Sequence, residues 1–501
     1  MLKSLRVPLV TPASGRFLIA TLLAIKLLML VWNAALFDGK VYDQGHHQDR
    51  ALFGGLRPGK MAYNPPLYYL PALAVHRPPD VPLVERSTQS VGDDDEAIAS
   101  REAAKSPATP HEKSHKAKQI KLLRYTNVFW NTLIYVGWIC YAFPRILRGF
   151  RAWFLASLLL LLLPGFQKLG VMVHPDNAFA ALTTVGVCAW LWIRDLFRKG
   201  TLSFKQLVIF AVAAGAVGLT RPFSIATVAV LTGVLVVYLV RLEGLRFWRL
   251  LSRGAVLLTI VGVLAGSWYV YRWHYSGQIT NAYRDRYMET FAKRRPGFDF
   301  VAYFTSFHLR ELLESPNRRL GGGSTSIYNN NPEANSFFTL LYSEVWADHW
   351  LYFSGHQARE GKLWPKRVLL TSGLLLPPIL TVIGGGFVVD LVQRGRRRLK
   401  QQAALGLLPK LVGLLDSLEL SLVPLGIAGL GVLLYLYWQT GPALLPGKNS
   451  TIKFVYIASL FGPTISLLFV RRLKVTTFNL LTCYFLFLFV VAFPVALFYP
   501  A

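Results

Sequence analysis

Phe154-Leu-Ala-Ser-Leu-Leu-Leu-Leu-Leu-Leu-Pro164 is the stretch that decides the fold. It lies in an apolar window, 152–171, long enough at the α-helical rise to cross the roughly 30 Å hydrocarbon core of a bilayer. Similar windows recur at 17–37, 125–144, 177–193, 206–220, 223–240, 254–272, 368–391, 421–437, 454–470 and 477–498. The runs are continuous and not alternating, which excludes a β-barrel. The sequence therefore predicts an all-α polytopic transmembrane helical bundle of about eleven spans. A mean hydropathy of +0.39 agrees. The stretch 401–418 reads as an interfacial helix or half of a further span. The first window follows Lys3, Arg6 and Arg16. It is long, and no small-x-small cleavage site precedes the loop beyond it, so it reads as a retained helix and not a signal peptide.

A formal charge of +28 would suggest nucleic acid until the basic residues are placed. They cluster at Lys3/Arg6/Arg16, Arg145/Arg148/Arg151, Arg194/Arg198/Lys199/Lys205, Arg241/Arg246/Arg249/Arg253, Arg394/Arg396/Arg397/Arg398/Lys400/Lys410 and Arg471/Arg472/Lys474. The predicted spans put all of these on one side. The long loops fall on the other side and are near balance, with 9 basic and 8 acidic residues in 77–124 and 11 and 9 in 273–366. This is the positive-inside pattern, so the N-terminus is expected inside and both long loops outside. The basicity then means contact with anionic lipid heads and no nucleic-acid partner.

Within outer loop 38–124, residues 78–118 are polar and of low complexity. They offer too little apolar surface to fold and are expected to be disordered. Asp93-Asp-Asp-Glu96 there reads as a solvated charge run. Outer loop 273–366 is rich in Trp, Tyr, Arg and Gly, and its aromatic parts suggest short amphipathic helices lying on the membrane. Cys140, Cys188 and Cys483 all fall in spans, as apolar packing residues with no disulfide or metal spacing.

Four places carry candidate chemistry. Just beyond the first span lies Tyr42-Asp-Gln-Gly-His-His-Gln-Asp-Arg50, followed by Tyr63-Asn-Pro-Pro-Leu-Tyr-Tyr69. Asp43 and Asp49, with His46 and His47 between them, are either ordinary loop polars or a general base and its surroundings. Pro65 and Pro66 pin a turn that lets 67–75 settle on the membrane. Second, His174-Pro-Asp-Asn177 opens the fourth span. Either Asp176 or Asn177 there simply caps the helix, or Asp176 is a site acid. Third, Thr220-Arg-Pro222 places Arg221 in a tight turn between two apolar spans. It either snorkels to the interface or holds a phosphate. Fourth, Tyr342-Ser-Glu-Val-Trp-Ala-Asp-His-Trp350 offers Trp346, Asp348 and His349, with rings suited to stacking on a sugar face. Arg284, Arg286, Lys293, Arg294 and Arg295 in the same loop are further phosphate contacts or simply solvated.

The order of first span, outer acid followed by His, Asn-Pro-Pro-Leu-Tyr-Tyr and outer acid before the fourth span resembles the C-type glycosyltransferases (GT-C). The branch it resembles is that of the protein O-mannosyltransferases and bacterial aminoarabinose transferases. The resemblance covers roughly residues 10–350. It implies a GT-C-like catalytic module over 1–400, including both outer loops, and C-terminal transmembrane helices over 401–501. It implies an inverting enzyme that takes a sugar from a polyprenyl-phosphate carrier and gives it to a lipid, glycan or protein hydroxyl on the outer, periplasmic face of the inner membrane. By that match Asp43 is the base and Asp49 a second candidate. Asp176 orients the acceptor or the base, or helps bind a divalent cation. Arg221 holds the lipid phosphate, and His46, Tyr63, Asn64, Trp346, Asp348 and His349 line the substrate. The family often shows an adjacent acidic pair, whereas Gln44 follows Asp43 here, leaving a second acidic role unassigned. No metal ligand set and no other cofactor is expected. The rival readings are a lipid or oligosaccharide flippase, a ligase using a polyprenyl-pyrophosphate glycan, and a non-enzymatic scaffold.

Overall fold

The computed structural model describes residues 8–36, 66–68, 110–166, 170, 175–221, 224–244, 246–276, 299–309, 336–346, 364–401, 454–469 and 473–498. Its long helices are α1 (Pro12–Leu36), α2 (Pro110–Val136), α3 (Phe150–Leu162), α4 (Asp176–Arg198), α5 (Phe204–Gly218), α6 (Ile225–Glu243) and α7 (Phe247–Ser276). Two short helices follow, α8 (Phe300–Thr305) and α9 (Phe337–Trp346). Then come α10 (Trp364–Ser372), α11 (Leu376–Gln401), α12 (Phe454–Phe469) and α13 (Val475–Phe498). No strand occurs among the described residues. Ten of the expected windows fall on these helices, and the window 421–437 lies outside the described residues. Among the described residues, five helices, within α1, α4, α6, α7 and α10–α11, are each long and apolar enough to cross a membrane. The protein is an α-helical membrane bundle, as the apolar runs predict.

One boundary differs from expectation. The helix carrying the second span begins at Pro110, inside the segment 78–118 expected to be disordered. Proline suits the first helical turn, and Lys113, Lys116, Ala117 and Lys118 are good helix formers, so a helix seeded in the membrane propagates outward through them. Residues 78–109 lie outside the described residues. The cysteines differ too. Cys140 and Cys483 are exposed faces of the bundle, open to lipid, and only Cys188 is partly packed, its thiol donating to the Gly137 carbonyl at 3.5 Å.

The core lies where α2, α3, α4, α5 and α12 meet. After Val136 the second span continues as a π-helical segment, Gly137–Ala142, and a last α-turn, Phe143–Ile146. A π-turn frees backbone carbonyls from the i→i−4 ladder. Here neighbouring helices use two of them: Trp153 Nε1 donates to the Ile139 carbonyl at 2.9 Å, and Cys188 reaches Gly137. Trp138 is buried and donates from its indole N–H to Thr184 Oγ1 at 3.0 Å. Gly462 of α12 lies flat against that indole, with no room for a Cβ. Further along, Arg145 Nε donates to Asp195 Oδ2 at 3.0 Å. The second span and α4 therefore run the same way, with 137 beside 184 and 145 beside 195. At the opposite end, α5 approaches α7 so closely that a Cβ on Gly218 would stand 2.7 Å from Ala265 Cα. Helices in lipid pack on small residues for this reason, because dispersion contact replaces the hydrophobic drive.

The short helices form a small docked unit. Asp299 caps α8, accepting from the N–H groups of Val301 (2.8 Å) and Ala302 (3.0 Å). His308 N–H donates to Thr339 Oγ1 at 2.8 Å, and the Phe304 and Phe337 rings meet at 5.4 Å. Tyr342 donates its hydroxyl to the Leu370 carbonyl, which seats α9 against α10.

Candidate active site

Asp176 and Arg221 are 45 residues apart in sequence, and the fold brings them into contact. The Arg221 Nε group pairs with Asp176 Oδ1, and Arg221 Nη2 donates to Asp176 Oδ2 at 3.4 Å. Such two-point geometry is the one the planar guanidinium fork favours. Both groups are shut from solvent, with 8% of the Arg221 side chain and none of Asp176 exposed.

Local sequence explains each placement. Helix α4 is started by Pro175 with φ −66° and ψ −14°, and no side chain caps it. Asp176 is therefore the first residue of the helix and not its cap. Its carboxylate sits in the positive field of the helix N-terminus and is directed at Arg221. Helix α5 stops at Gly218, and the chain turns through Leu219 and Thr220, whose hydroxyl donates to the Val217 carbonyl at 2.6 Å. The Arg221 carbonyl accepts from both the N–H (3.1 Å) and the hydroxyl (2.6 Å) of Ser224, which leads into α6. The turn is thus tied at both sides, and the tight α5–α7 contact at Gly218 fixes its height.

Buried amides surround this end. Because α4 and the second span run together, stepping back eight residues from Thr184 reaches Asp176, and the same step from Gly137 falls between Asn127 and Asn131. Asn127, Asn131 and Asn177 are all fully buried. Tyr68 donates its hydroxyl to Asn127 Oδ1 at 2.8 Å, and Asn131 Nδ2 donates to the Asn127 carbonyl at 2.9 Å. Asn33, near the end of α1, is also buried, and neither of its amide atoms has a partner among the described residues. Sequence reasoning passed over Asn33, Asn127 and Asn131. Asn127 and Asn131 stand four apart on one helical face inside an apolar window, and that spacing is the signal that marks them. Tyr68 belongs to the Asn-Pro-Pro-Leu-Tyr-Tyr segment, whose described residues, 66–68, are thus anchored on the second span at the end that carries Asp176.

The other sequence candidates fall into two groups. Asp43, Asp49, His46, Tyr63, Asn64, Asp348 and His349 lie outside the described residues. Trp346 is described and buried at 1% exposure, with its indole N–H donating to the Leu369 carbonyl at 2.6 Å. Gly373 backs the ring, and a Cβ there would overlap it. In this conformation Trp346 holds α9 to α10. In the same helix, burial pushes the Tyr342 phenol well above the ordinary tyrosine range, and the nearby Tyr484 adds to the rise.

No protein-family model and no curated protein matches the sequence. Among solved structures, the chain is similar to the crystal structure of ArnT from Cupriavidus metallidurans bound to undecaprenyl phosphate. The identity is 14%, over 90% of this chain and 76% of that one, with a TM-score of 0.32. A likeness this distant assigns no activity and no residue role to the present chain.

Proposed function

We propose that this protein is an inverting membrane glycosyltransferase that moves a sugar from a polyprenyl-phosphate carrier to an acceptor hydroxyl at the outer face of the inner membrane. The observation that supports it most is the dry Arg221–Asp176 pair, at the end of the bundle where Asn127, Asn131 and Asn177 are also buried. A guanidinium there has five N–H donors, two of which face Asp176. An arriving lipid phosphate offers the same fork two oxygens of its own and competes with the carboxylate for it.

The chemistry follows from that exchange. The carrier enters sideways, its prenyl chain staying in lipid, and Arg221 takes its phosphate. The acceptor hydroxyl lies in line with the anomeric carbon, and Asp43 takes its proton. The new C–O bond forms as the bond from the anomeric carbon to the phosphate oxygen breaks. The electron pair goes to the phosphate, and the charge that develops there is stabilised by Arg221 in a water-poor site. Asp176, released from Arg221, orients the acceptor. A divalent cation, where used, would sit with Asp176 and the loop acids.

The test is sugar transfer from a polyprenyl-phosphate-sugar pool to total membrane lipids and proteins, with wild type and Asp43→Asn compared at equal expression. Loss of transfer by a folded variant supports the reaction class and the base. Equal transfer by both moves the base to Asp49 or Asp176. A wild type that transfers none of several carrier sugars overturns the reading.

A further inference from the structure

Three helices start together at the end of the bundle that carries Arg145, and they run side by side. The Leu9 N–H donates to Asn479 Oδ1 at 3.0 Å, and Arg151 Nη1 donates to the Leu473 carbonyl at 3.2 Å. Gly15 of α1 is covered by the Phe150 ring of α3. Phe478 of α13 meets Phe150 and Phe154 with ring centroids 6.4 and 5.8 Å away. Further along, Leu30 lies against Gly170, so α1 and the α3 segment keep the same direction. Helices α1 and α13 both pack on α3 and scarcely on each other, which leaves a seam between them.

Three polar residues fall on this seam. Lys26 is eleven residues beyond Gly15, close to three full turns, so it shares the face that meets α3. Ser157 is seven beyond Phe150, two turns along the same face, and Thr482 is four beyond Phe478. At the helical rise, Ser157 stands about 10 Å past the ring contact and Thr482 about 6 Å. The Lys26 backbone is higher, about 16 Å past Gly15. Side chains in a helix lean toward its N-terminus, which brings the amine back toward the two hydroxyls.

All three are buried, at 4% exposure for Lys26, none for Ser157 and 1% for Thr482. Ser157 Oγ and Thr482 Oγ1 have no hydrogen-bond partner among the described residues, and none of the ion pairs among them involves Lys26. None of the three helices contains an Asp or a Glu. A cation inside a membrane bundle without a carboxylate to answer it marks a place for a ligand or a path. The available groups are an ammonium and two hydroxyls, which together favour an anion with several acceptor oxygens. Arg16, Arg148 and Lys474 stand exposed at the near end of the seam, where they attract anionic heads.

We propose that Lys26, Ser157 and Thr482 form a second, deeper anion subsite, entered from the basic face, that takes the phosphate head of a membrane lipid. It is separate from the Arg221–Asp176 site at the opposite end and does not depend on what that site does.

The test is the number of phosphate lipids bound per chain. Full-length protein in phosphatidylcholine nanodiscs would be titrated with radiolabelled polyprenyl phosphate to saturation. Wild type should exceed one bound lipid per chain. Lys26→Met should remove one site and Arg221→Gln the other, while Lys26→Arg keeps both. The Ser157→Ala/Thr482→Val pair, which leaves the charge in place, should weaken the Lys26-dependent site about tenfold. A Lys26→Met protein that melts like wild type and binds as many lipids would overturn the subsite. So would a single site lost only in Arg221→Gln, which leaves the glycosyltransferase reading intact. A wild type that keeps the Lys26-dependent site but transfers none of the carrier sugars would instead overturn only that reading. Inorganic phosphate serves as the control in detergent. Lys26-dependent binding of it as tight as that of the lipid would overturn the lipid assignment.

Discussion

Two ion pairs of the same chemistry sit at opposite ends of the bundle, and almost everything else about them differs. Arg145 and Asp195 meet through one bond of 3.0 Å, with 35% and 31% of their side chains open. Arg145 also lies over the Tyr141 ring at 3.6 Å and donates to the Tyr141 carbonyl at 3.1 Å. Water and lipid heads can solvate either charge if its partner goes. Arg221 and Asp176 meet at two points away from solvent, with 8% and none of their side chains exposed. A rim pair is a common result of helix ends rich in charge. A buried pair carries a desolvation cost that apolar side chains would avoid, so its presence points to use and not to stability.

Removing one partner of each pair should separate them most sharply. Asp176→Ala removes the carboxylate from beside a buried guanidinium and should lower stability by about 3–5 kcal/mol. Denaturation in detergent micelles would measure it. The double change Asp176→Leu/Arg221→Met should recover most of that loss and still abolish transfer. A double variant as unstable as the single would break the comparison. Next in size is Gly218→Val, at the α5–α7 contact that sets the height of the Arg221 turn. The Cβ meets backbone there, so the helices must part, at about 1–3 kcal/mol, and transfer should fall with the displaced turn.

Tyr342 lies away from both pairs. Its phenol is held neutral by burial, so its folded value lies above the ordinary 10.0. Its contribution is therefore complete below pH 10 and declines as pH rises toward the folded value, by up to about 1.4 kcal/mol per pH unit. The gap between the melting curves of wild type and Tyr342→Phe should stay constant from pH 8 to 10 and change only above 10. Smallest of all, Arg145→Ala should cost about 1 kcal/mol or less, and less still at high salt. A loss as large as that of Asp176→Ala would erase the contrast between the two ends.

The helices were legible because the signal for them is long and redundant. A window such as 152–171 is read from twenty residues at once, and errors at its ends do not matter. Asp176 and Arg221 were legible as single unusual residues, each with a bland reading beside it. Their pairing was not, since it depends on how α4 and the α5–α6 turn meet across 45 residues of chain. The cap reading of Asp176 fails for a local reason: Pro175 already holds the capping position. Asn127 and Asn131 were missed because an amide in an apolar window looks like an interruption. Only the run of the second span beside α4 shows that both face the same end as Asp176. The start of α2 at Pro110 escaped because composition reports average solubility and not whether a neighbouring helix will propagate.

The π-helical segment Gly137–Ala142 bears on both ends of the molecule at once. It divides the second span into two parts whose rotational settings are independent: one presents Asn127 and Asn131, the other Arg145. Removing one residue from the segment would turn one part by about 100° relative to the other. The span would keep its hydropathy and its ability to insert, yet it could no longer show its amides to Asp176 while Arg145 reached Asp195. A single codon deletion there would leave a protein that threads the membrane normally and fails to assemble its two ends together.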